Sequence, residues 1–98
     1  MKAAYYTELG GSDVIKLGEM DRPEPGDREV RVKIAVSGVN PSDWKAQERG
    51  RAGVLPFPII IPQSDGAGIV DAIGGAVTHV NEGDRVWVLN GQWQRPYG

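Results

Sequence analysis

Hydrophobic and polar residues alternate most regularly in the segment from Val30 to Val36. Every second position there holds valine or isoleucine, and the positions between them are Arg31, Lys33 and Ala35. Successive side chains of a β-strand point to opposite faces of a sheet, so this period of two predicts a half-buried strand.

Shorter apolar runs on both sides of this segment predict further strands. Residues 2–7 and 14–19 flank a Leu-Gly-Gly-Ser-Asp turn, which together predict a hairpin. Residues 65–73 form a predicted strand with several glycines, and the pair Gly74-Gly75 turns the chain after it. Residues 85–89 predict another strand.

One segment carries the signals of a helix at both of its ends. Asn40 is a good N-cap, Pro41 suits the first helical position and Asp43 lies in the first turn. Arg49 falls in the last turn, and Gly50 can end the helix. Five or six strands with one short helix, and no alternation of strands and helices, predict a mainly β fold built as a small, partly open barrel.

Length and composition limit the classes of function. The 98 residues are enough for one domain, and 11 basic against 13 acidic side chains give a net charge of -2. We therefore expect no binding to nucleic acid and none to an anionic membrane. The longest apolar run, residues 54–62, is far shorter than the ~20 residues that a membrane helix needs, and the N-terminus lacks a secretory core. We expect a cytoplasmic protein.

Cysteine is absent and histidine occurs once. The lack of cysteine excludes disulfides, thiolate catalysis and every zinc site built from sulfur. A single histidine, His79, excludes a metal site with two histidines from this chain, and we expect His79 to lie in an exposed loop.

The sequence Gly66-Ala67-Gly68 resembles the start of a dinucleotide-binding fingerprint. The third glycine of that motif would fall at position 71, which is Asp71, and these glycines begin a predicted strand instead of opening a helix. We therefore reject the motif and expect the glycines to let a neighbouring backbone approach closely.

Several polar side chains are candidates for a site. Asn40, Ser42 and Asp43 cluster at a helix N-terminus, where free N–H groups favour anions and polar ligand groups, although helix capping alone would explain Asn40 and Asp43. Ser64 and Asp65 precede a strand and could either line a pocket or make local turn hydrogen bonds.

Three further residues have structural interpretations. We expect Trp44 and Trp87 to be packing residues, and Lys45 to be a solvated charge on the helix.

Together these motifs carry a family resemblance that none of them carries alone. They are residues 1–5, 9–15, 23–26, 29–33, 38–45, 65–70 and 83–86. In this order and at these separations they resemble the N-terminal part of quinone oxidoreductases, in the medium-chain dehydrogenase/reductase superfamily. The resemblance implies a GroES-like, partly open β-barrel over residues 1–98, incomplete at its C-terminus. It also implies a Rossmann domain that binds NADPH and lies outside this chain.

The same resemblance implies that the protein belongs to the zinc-independent branch. Zinc-dependent relatives place cysteine where this sequence has Asn40, and a His-Glu pair where it has Ser64 and Asp65. Asparagine and serine are poor zinc ligands.

Roles for individual residues follow from matching positions in the family. Asn40 and Lys45 are implied to lie near the nicotinamide-ribose end of the cofactor, and Asp43 to orient its neighbours. Ser42 stands where alcohol dehydrogenases carry a hydroxyl that relays a proton. Ser64 and Asp65 would form the floor of the substrate pocket.

The implied reaction is hydride transfer from NADPH to a quinone or an α,β-unsaturated carbonyl, with the proton coming from solvent or a side chain. The implied partners are the small acceptor, the Rossmann portion, as part of a longer protein or as a separate chain, and a second copy in a homodimer of the full enzyme. We expect this chain alone to be inactive. Two alternatives stay open: a piece of an enoyl reductase of the same superfamily, and a non-catalytic GroES-like binding domain.

Overall fold

The computed structural model describes residues 1–92 and 94–95, which form five strands, one α-helix and a single 3₁₀ turn. The elements are β1 (Lys2–Tyr5), the 3₁₀ turn (Ser12–Val14), β2 (Lys16–Glu19), β3 (Val30–Ser37), α1 (Pro41–Arg49), β4 (Asp65–Ile73) and β5 (Arg85–Leu89). The predicted fold class, mainly β with one short helix, is confirmed.

The strands form two antiparallel sheets. Strands β1 and β2 pair as the predicted hairpin, from Lys2 opposite Glu19 to Tyr5 opposite Lys16. Strand β2 begins two residues later than predicted, because Val14 lies in the 3₁₀ turn with its side chain buried. The second sheet has the order β3-β4-β5. Within the described residues the sheets do not close into a barrel, so the architecture is an open one.

The glycines of β4 allow β3 to approach closely. A methyl group added at Gly66 would lie 2.7 Å from the carbonyl oxygen of Val36, and one added at Gly68 would overlap with the carbonyl oxygen of Lys33. Both glycines lie inside a strand and open no helix. This confirms the structural interpretation of the pair and the rejection of the dinucleotide motif.

Strand β3 forms where the alternation predicts it, but the predicted half-burial of its apolar side chains is wrong. Only Val32 of the alternating series is half-buried, and Val36 is 64% exposed. Ile34 pairs with Gly68 while Val36 pairs with the adjacent Ala67. Because neighbouring residues of β4 face opposite sides of the sheet, this irregularity moves Val36 to the face opposite Ile34.

The helix begins and ends as predicted. Asn40 is the N-cap, with the extended backbone typical of that position, and Gly50 ends the helix with a φ of 63°. Gln47 is the one buried polar residue among those described. Its Nε2 atom donates to the carbonyl of Gly11 at 2.8 Å, and its backbone carbonyl accepts from the N–H of Gly10 at 3.1 Å. These bonds join α1 to the turn between β1 and β2.

The largest buried cluster lies at the end of β1. Tyr6, Val14 and Ile60 form it, and Tyr6 and Ile60 exchange backbone hydrogen bonds of 2.9 and 3.0 Å. In the second sheet, Val70 is fully buried.

Three side chains from the sequence analysis lie at the surface. The expectation that the two tryptophans pack in the interior is wrong, since Trp44 is exposed and Trp87 is 75% exposed. His79 lies in an exposed loop, as predicted.

Candidate functional site

Asn40 and Asp65 form the central polar contact of the site. They are the N-cap of α1 and the first residue of β4, and the Nδ2 of Asn40 donates to Oδ1 of Asp65 at 2.6 Å. An ionised carboxylate only accepts hydrogen bonds, so the asparagine must present its N–H to it. Gly38 makes room for this carboxylate, because a methyl group there would lie 2.8 Å from both of its oxygens.

Asp43 fixes the backbone of Asn40 at the start of the helix. Its Oδ2 accepts the backbone N–H of Asn40 at 2.7 Å, and its own N–H donates to the Asn40 carbonyl at 3.0 Å. A carboxylate in the first turn also interacts favourably with the helix dipole. Asp43 therefore stabilises the helix start while the side-chain amide of Asn40 faces the sheet.

An open cleft of about 250 Å³ lies beside this pair. Ser42, Asp43 and Ser64 line it together, so the structure brings these three predicted site residues to one cavity. Asn40 and Asp65 do not line it, and Asp43 connects the cleft with the pair.

Lys45 stands apart from the other predicted site residues. Its Nζ lies 5.6 Å from the centre of the Trp44 ring, and both side chains are exposed on α1.

The loop before β4 is held by residues that the sequence did not single out. Gln63 adopts a positive φ of 78°, and its side-chain oxygen accepts the hydroxyl of Ser37 at 2.6 Å. Its carbonyl accepts the amide of Gln92 at 2.7 Å, and the Ser64 carbonyl accepts the N–H of Gly91 at 3.1 Å. No sequence signal indicates that a glutamine will adopt a left-handed backbone conformation, so these contacts could not be predicted.

Tyr6 is the most deeply buried residue that lines the cleft. It is 2% exposed, and its hydroxyl has no hydrogen-bond partner among the described residues. Burial raises the pKa of this phenol, and the negative charge of Asp43 raises it further. The sequence placed Tyr6 only within an apolar run. A tyrosine in a predicted apolar strand is the one sequence signal that could have marked it, because a buried tyrosine hydroxyl needs a hydrogen-bond partner.

Residues 1–92 and 94–95 hold no cluster of three or more histidine, cysteine, aspartate or glutamate side chains that could bind a metal ion. No helix in the same part of the chain is long and apolar enough to cross a membrane.

Comparison with protein families and curated proteins gives consistent matches. The model of the alcohol dehydrogenase GroES-like domain matches residues 26–95. An alcohol dehydrogenase of Moraxella is 47% identical over 90% of this chain and 25% of its own length. An NADPH-dependent alkenal/one oxidoreductase of Arabidopsis thaliana is 37% identical over 89% of this chain and 23% of its own. A quinone oxidoreductase of Pongo abelii is 34% identical over 89% of this chain and 26% of its own length.

Solved structures show the same fold. A quinone oxidoreductase from Coxiella burnetii superposes with a TM-score of 0.85 at 26% identity, over 99% of this chain and 32% of its own. The Escherichia coli quinone oxidoreductase complexed with NADPH gives a TM-score of 0.77 at 26% identity, over 93% of this chain and 27% of its own. A cobalt- and zinc-bound alcohol dehydrogenase from Pyrobaculum aerophilum gives a TM-score of 0.77 at 37% identity, over 89% of this chain and 26% of its own.

The chain spans about a quarter of the length of the curated relatives it matches. Those relatives are oxidoreductases, and the predicted GroES-like fold is confirmed by the structural matches. With the family model covering most of its residues, the chain belongs to the alcohol dehydrogenase GroES-like domain family of the medium-chain dehydrogenase/reductase superfamily.

Proposed function

We propose that this chain is part of the catalytic domain of an oxidoreductase that uses NADPH to reduce a quinone or an α,β-unsaturated carbonyl without a metal ion. Relatives named as quinone and alkenal/one oxidoreductases support this acceptor class, and a structural neighbour complexed with NADPH supports the cofactor. In this proposal, most of the cofactor would be held by a Rossmann portion that lies outside this chain.

The hydrogen bond between Asn40 and Asp65 is the observation that carries the proposal. It joins two of the positions where zinc-dependent relatives place their ligands, and the amide and the carboxylate there engage each other. An amide nitrogen and the Ser64 hydroxyl are poor zinc ligands, and one carboxylate cannot hold the ion alone. These residues do not fit zinc. A zinc-bound alcohol dehydrogenase shares this fold, so the side chains at these positions, and not the fold, decide whether zinc can bind.

Two donor groups support binding of the end of a nicotinamide cofactor. The second N–H of the Asn40 amide has no partner in the described part of the chain, and the Lys45 ammonium makes no ion pair there. Both groups are thus available to the polar atoms of a nicotinamide and its ribose. When bound, the reduced nicotinamide supplies a hydride. Asn40 and Lys45 would bind and orient that end.

Neutral donors replace the metal at the acceptor oxygen in this proposal. Hydride addition leaves negative charge on that oxygen, and preorganised N–H and O–H donors stabilise such charge strongly. Ser42 lines the cleft, and the Asn40 amide, which donates to Asp65, has a second N–H that could serve as a further donor. The Asp43 and Asp65 carboxylates hold the backbone and the amide of Asn40 in place.

The experiment measures NADPH and NADH oxidation by the intact protein with 1,4-benzoquinone, with an alkenal, and in reverse with simple alcohols. We expect reduction of the quinone or the alkenal at a rate that dialysis against a chelator does not change. Loss of this rate on chelation with recovery on adding zinc would contradict the proposal. No turnover with any acceptor would favour the non-catalytic binding domain.

A matched pair of variants tests the role of Asn40 in the same assay. Asn40→Ala should lower kcat/KM by at least about tenfold, since one preorganised donor contributes about 10²–10³ in rate at such sites. Asn81→Ala is the control, because Asn81 is exposed and does not line the cleft. Equal activity of the two variants would withdraw Asn40 from the site.

A further inference from the structure

The hydroxyl of Tyr6 is a polar group in the cleft that the proposed reaction does not yet use. The Tyr6 backbone is fixed by its two hydrogen bonds to Ile60, and its side chain is 2% exposed. Within residues 1–92 and 94–95, no fully buried side-chain nitrogen or oxygen lacks a partner, and this hydroxyl makes no hydrogen bond. Its oxygen therefore keeps a small solvent contact, on the cleft that Tyr6 lines.

An unpaired hydroxyl at such a position needs a reason. A phenylalanine would fill the same place in the cluster with Val14 and Ile60 without bringing a polar atom that finds no partner in the described part of the chain. A buried tyrosine hydroxyl usually finds a hydrogen-bond partner. A ligand in the cleft would supply that partner.

The surroundings suit an acceptor that becomes negatively charged. Tyr6 shares the cleft with Ser42 and Ser64, and among the charged residues that line it are Asp43, Arg51 and Arg95. Burial and the Asp43 charge raise the pKa of the phenol, so it keeps its proton at neutral pH. The neutral hydroxyl therefore carries a proton that it can donate when negative charge develops on an acceptor in the cleft.

We propose that Tyr6 is a catalytic residue that donates its hydroxyl proton to the oxygen of the bound acceptor. This rests on the proposed function. A bound reduced nicotinamide would supply the acceptor with a hydride and its two electrons, which would leave an enolate or quinol oxyanion at the acceptor oxygen. The phenolic O–H bond breaks and the proton forms a new O–H bond on that oxygen. A proton from bulk solvent, passed on by water in the cleft, then returns to the phenolate. Overall the acceptor gains one hydride and one solvent proton, and Tyr6 is unchanged.

The kinetic test compares Tyr6→Phe with Tyr5→Phe in the intact protein. Tyr5 is the matched control, because its ring lies against Gly18 in β1–β2 and does not line the cleft. Tyr6→Phe keeps the packing, so its melting temperature should be no lower than that of the wild type. We expect its kcat to fall about 10²-fold, the lower end of the range of general acid catalysis, with little change in KM. Tyr5→Phe should behave like the wild type.

A binding measurement without cofactor gives a readout that does not depend on turnover. The probe is 4-nitrophenolate, an oxyanion that resembles the reduced acceptor, titrated at mildly alkaline pH and followed by its absorbance. The wild type and Tyr5→Phe should bind it at least about tenfold more tightly than Tyr6→Phe, the discrimination that a charge-assisted hydrogen bond gives.

The outcomes separate this proposal from the proposed function. If the wild type reduces quinones or enones and Tyr6→Phe is equally active, the role of Tyr6 is overturned and the function stands. If the wild type reduces none of the acceptors but binds 4-nitrophenolate through Tyr6, the function fails, while the Tyr6 hydroxyl is supported as an oxyanion donor. A clearly lower melting temperature of Tyr6→Phe would make the hydroxyl structural and overturn the proposal.

Discussion

Asparagine and aspartate are nearly equivalent as helix N-caps, and on that ground the sequence predicts that Asn40→Asp keeps the helix intact. The structure changes this expectation. The side-chain amide of Asn40 donates to a carboxylate, Asp65, at 2.6 Å. An aspartate at position 40 would place two carboxylates within hydrogen-bond distance of each other, where they cannot both be ionised without strong repulsion.

We therefore predict that Asn40→Asp destabilises the protein at neutral pH. The pair should hold one carboxyl pKa above its unfolded value. A carboxyl group whose pKa is higher in the folded than in the unfolded protein lowers the stability of the folded state at pH values above the folded pKa. The lost stability returns as the pH falls below the folded pKa and the group takes up its proton. We expect a loss of about 1–3 kcal/mol at pH 7, which denaturant unfolding at pH 7 and at about pH 5 would measure.

The double variant N40D/D65N is the control for this prediction. It exchanges the amide and the carboxylate between the two positions, so one group can again donate to the other. Most of the stability lost in Asn40→Asp should return. Equal stability of Asn40→Asp and wild type at pH 7 would contradict the hydrogen bond.

At the residue scale the sequence predicted part of the site. The N-cap at Asn40 and the first-turn acid Asp43 follow from local rules, because their partners are within three residues. The contact of Asn40 with Asp65 spans 25 residues, so no local pattern indicates it. Tyr6 was missed for the same reason, since its place in the cleft depends on the end of β1 meeting α1.

At the scale of elements, the close approach of β3 and β4 gives a prediction. A methyl group at Gly68 would overlap with the backbone carbonyl of Lys33, which cannot move without disturbing the ladder between the two strands. We expect Gly68→Ala to cost about 1–3 kcal/mol in the free energy of unfolding, as overpacked sites do. Thermal or urea unfolding measures it.

Gly75 provides the matched control in the turn that follows β4. A methyl group there meets no atom within 4 Å, and its φ is not in the left-handed region. Gly75→Ala should change stability by less than about 0.5 kcal/mol. If both variants lose the same stability, the close approach of β3 and β4 at Gly68 is not the cause.

Elements were predicted well where local signals end them. Asn40 and Gly50 bound the helix, and glycine-rich turns bound β4 and β5. The side-chain environment of β3 was predicted less well, because alternation assumes an uninterrupted ladder. The irregularity between Ile34 and Val36 reverses the facing of the residues after it, and it arises from pairing with β4.

At the scale of the whole molecule, Gln47 joins the helix to the first sheet. Its side chain is buried and donates to the carbonyls of Gly11 at 2.8 Å and Gly10 at 3.3 Å, so Gln47→Ala should cost about 1–3 kcal/mol by removing both hydrogen bonds. Glu48→Ala, on the exposed side of the same helix, should stay within about 0.5 kcal/mol of wild type.

Amide hydrogen exchange locates the effect. The N–H of Gly10 donates to the backbone carbonyl of Gln47, so its protection should fall in Gln47→Ala and be retained in Glu48→Ala. Unchanged protection of Gly10 would show that the bonds do not couple the helix to the hairpin.

The order of the strands also has a consequence for folding kinetics. The β1–β2 hairpin closes a short loop, from Tyr5 to Lys16, whereas Ser37 can pair with Gly66 only after residues 38–65 have been brought round as one long loop. Loops of greater length cost more entropy to close, so the β3–β4 pairing should form after the hairpin. Asn40 and Asp65 lie just inside the two ends of that long loop. The polar pair is therefore assembled only when the loop closes, and a partly folded chain with an intact hairpin would carry the residues of the site without the site.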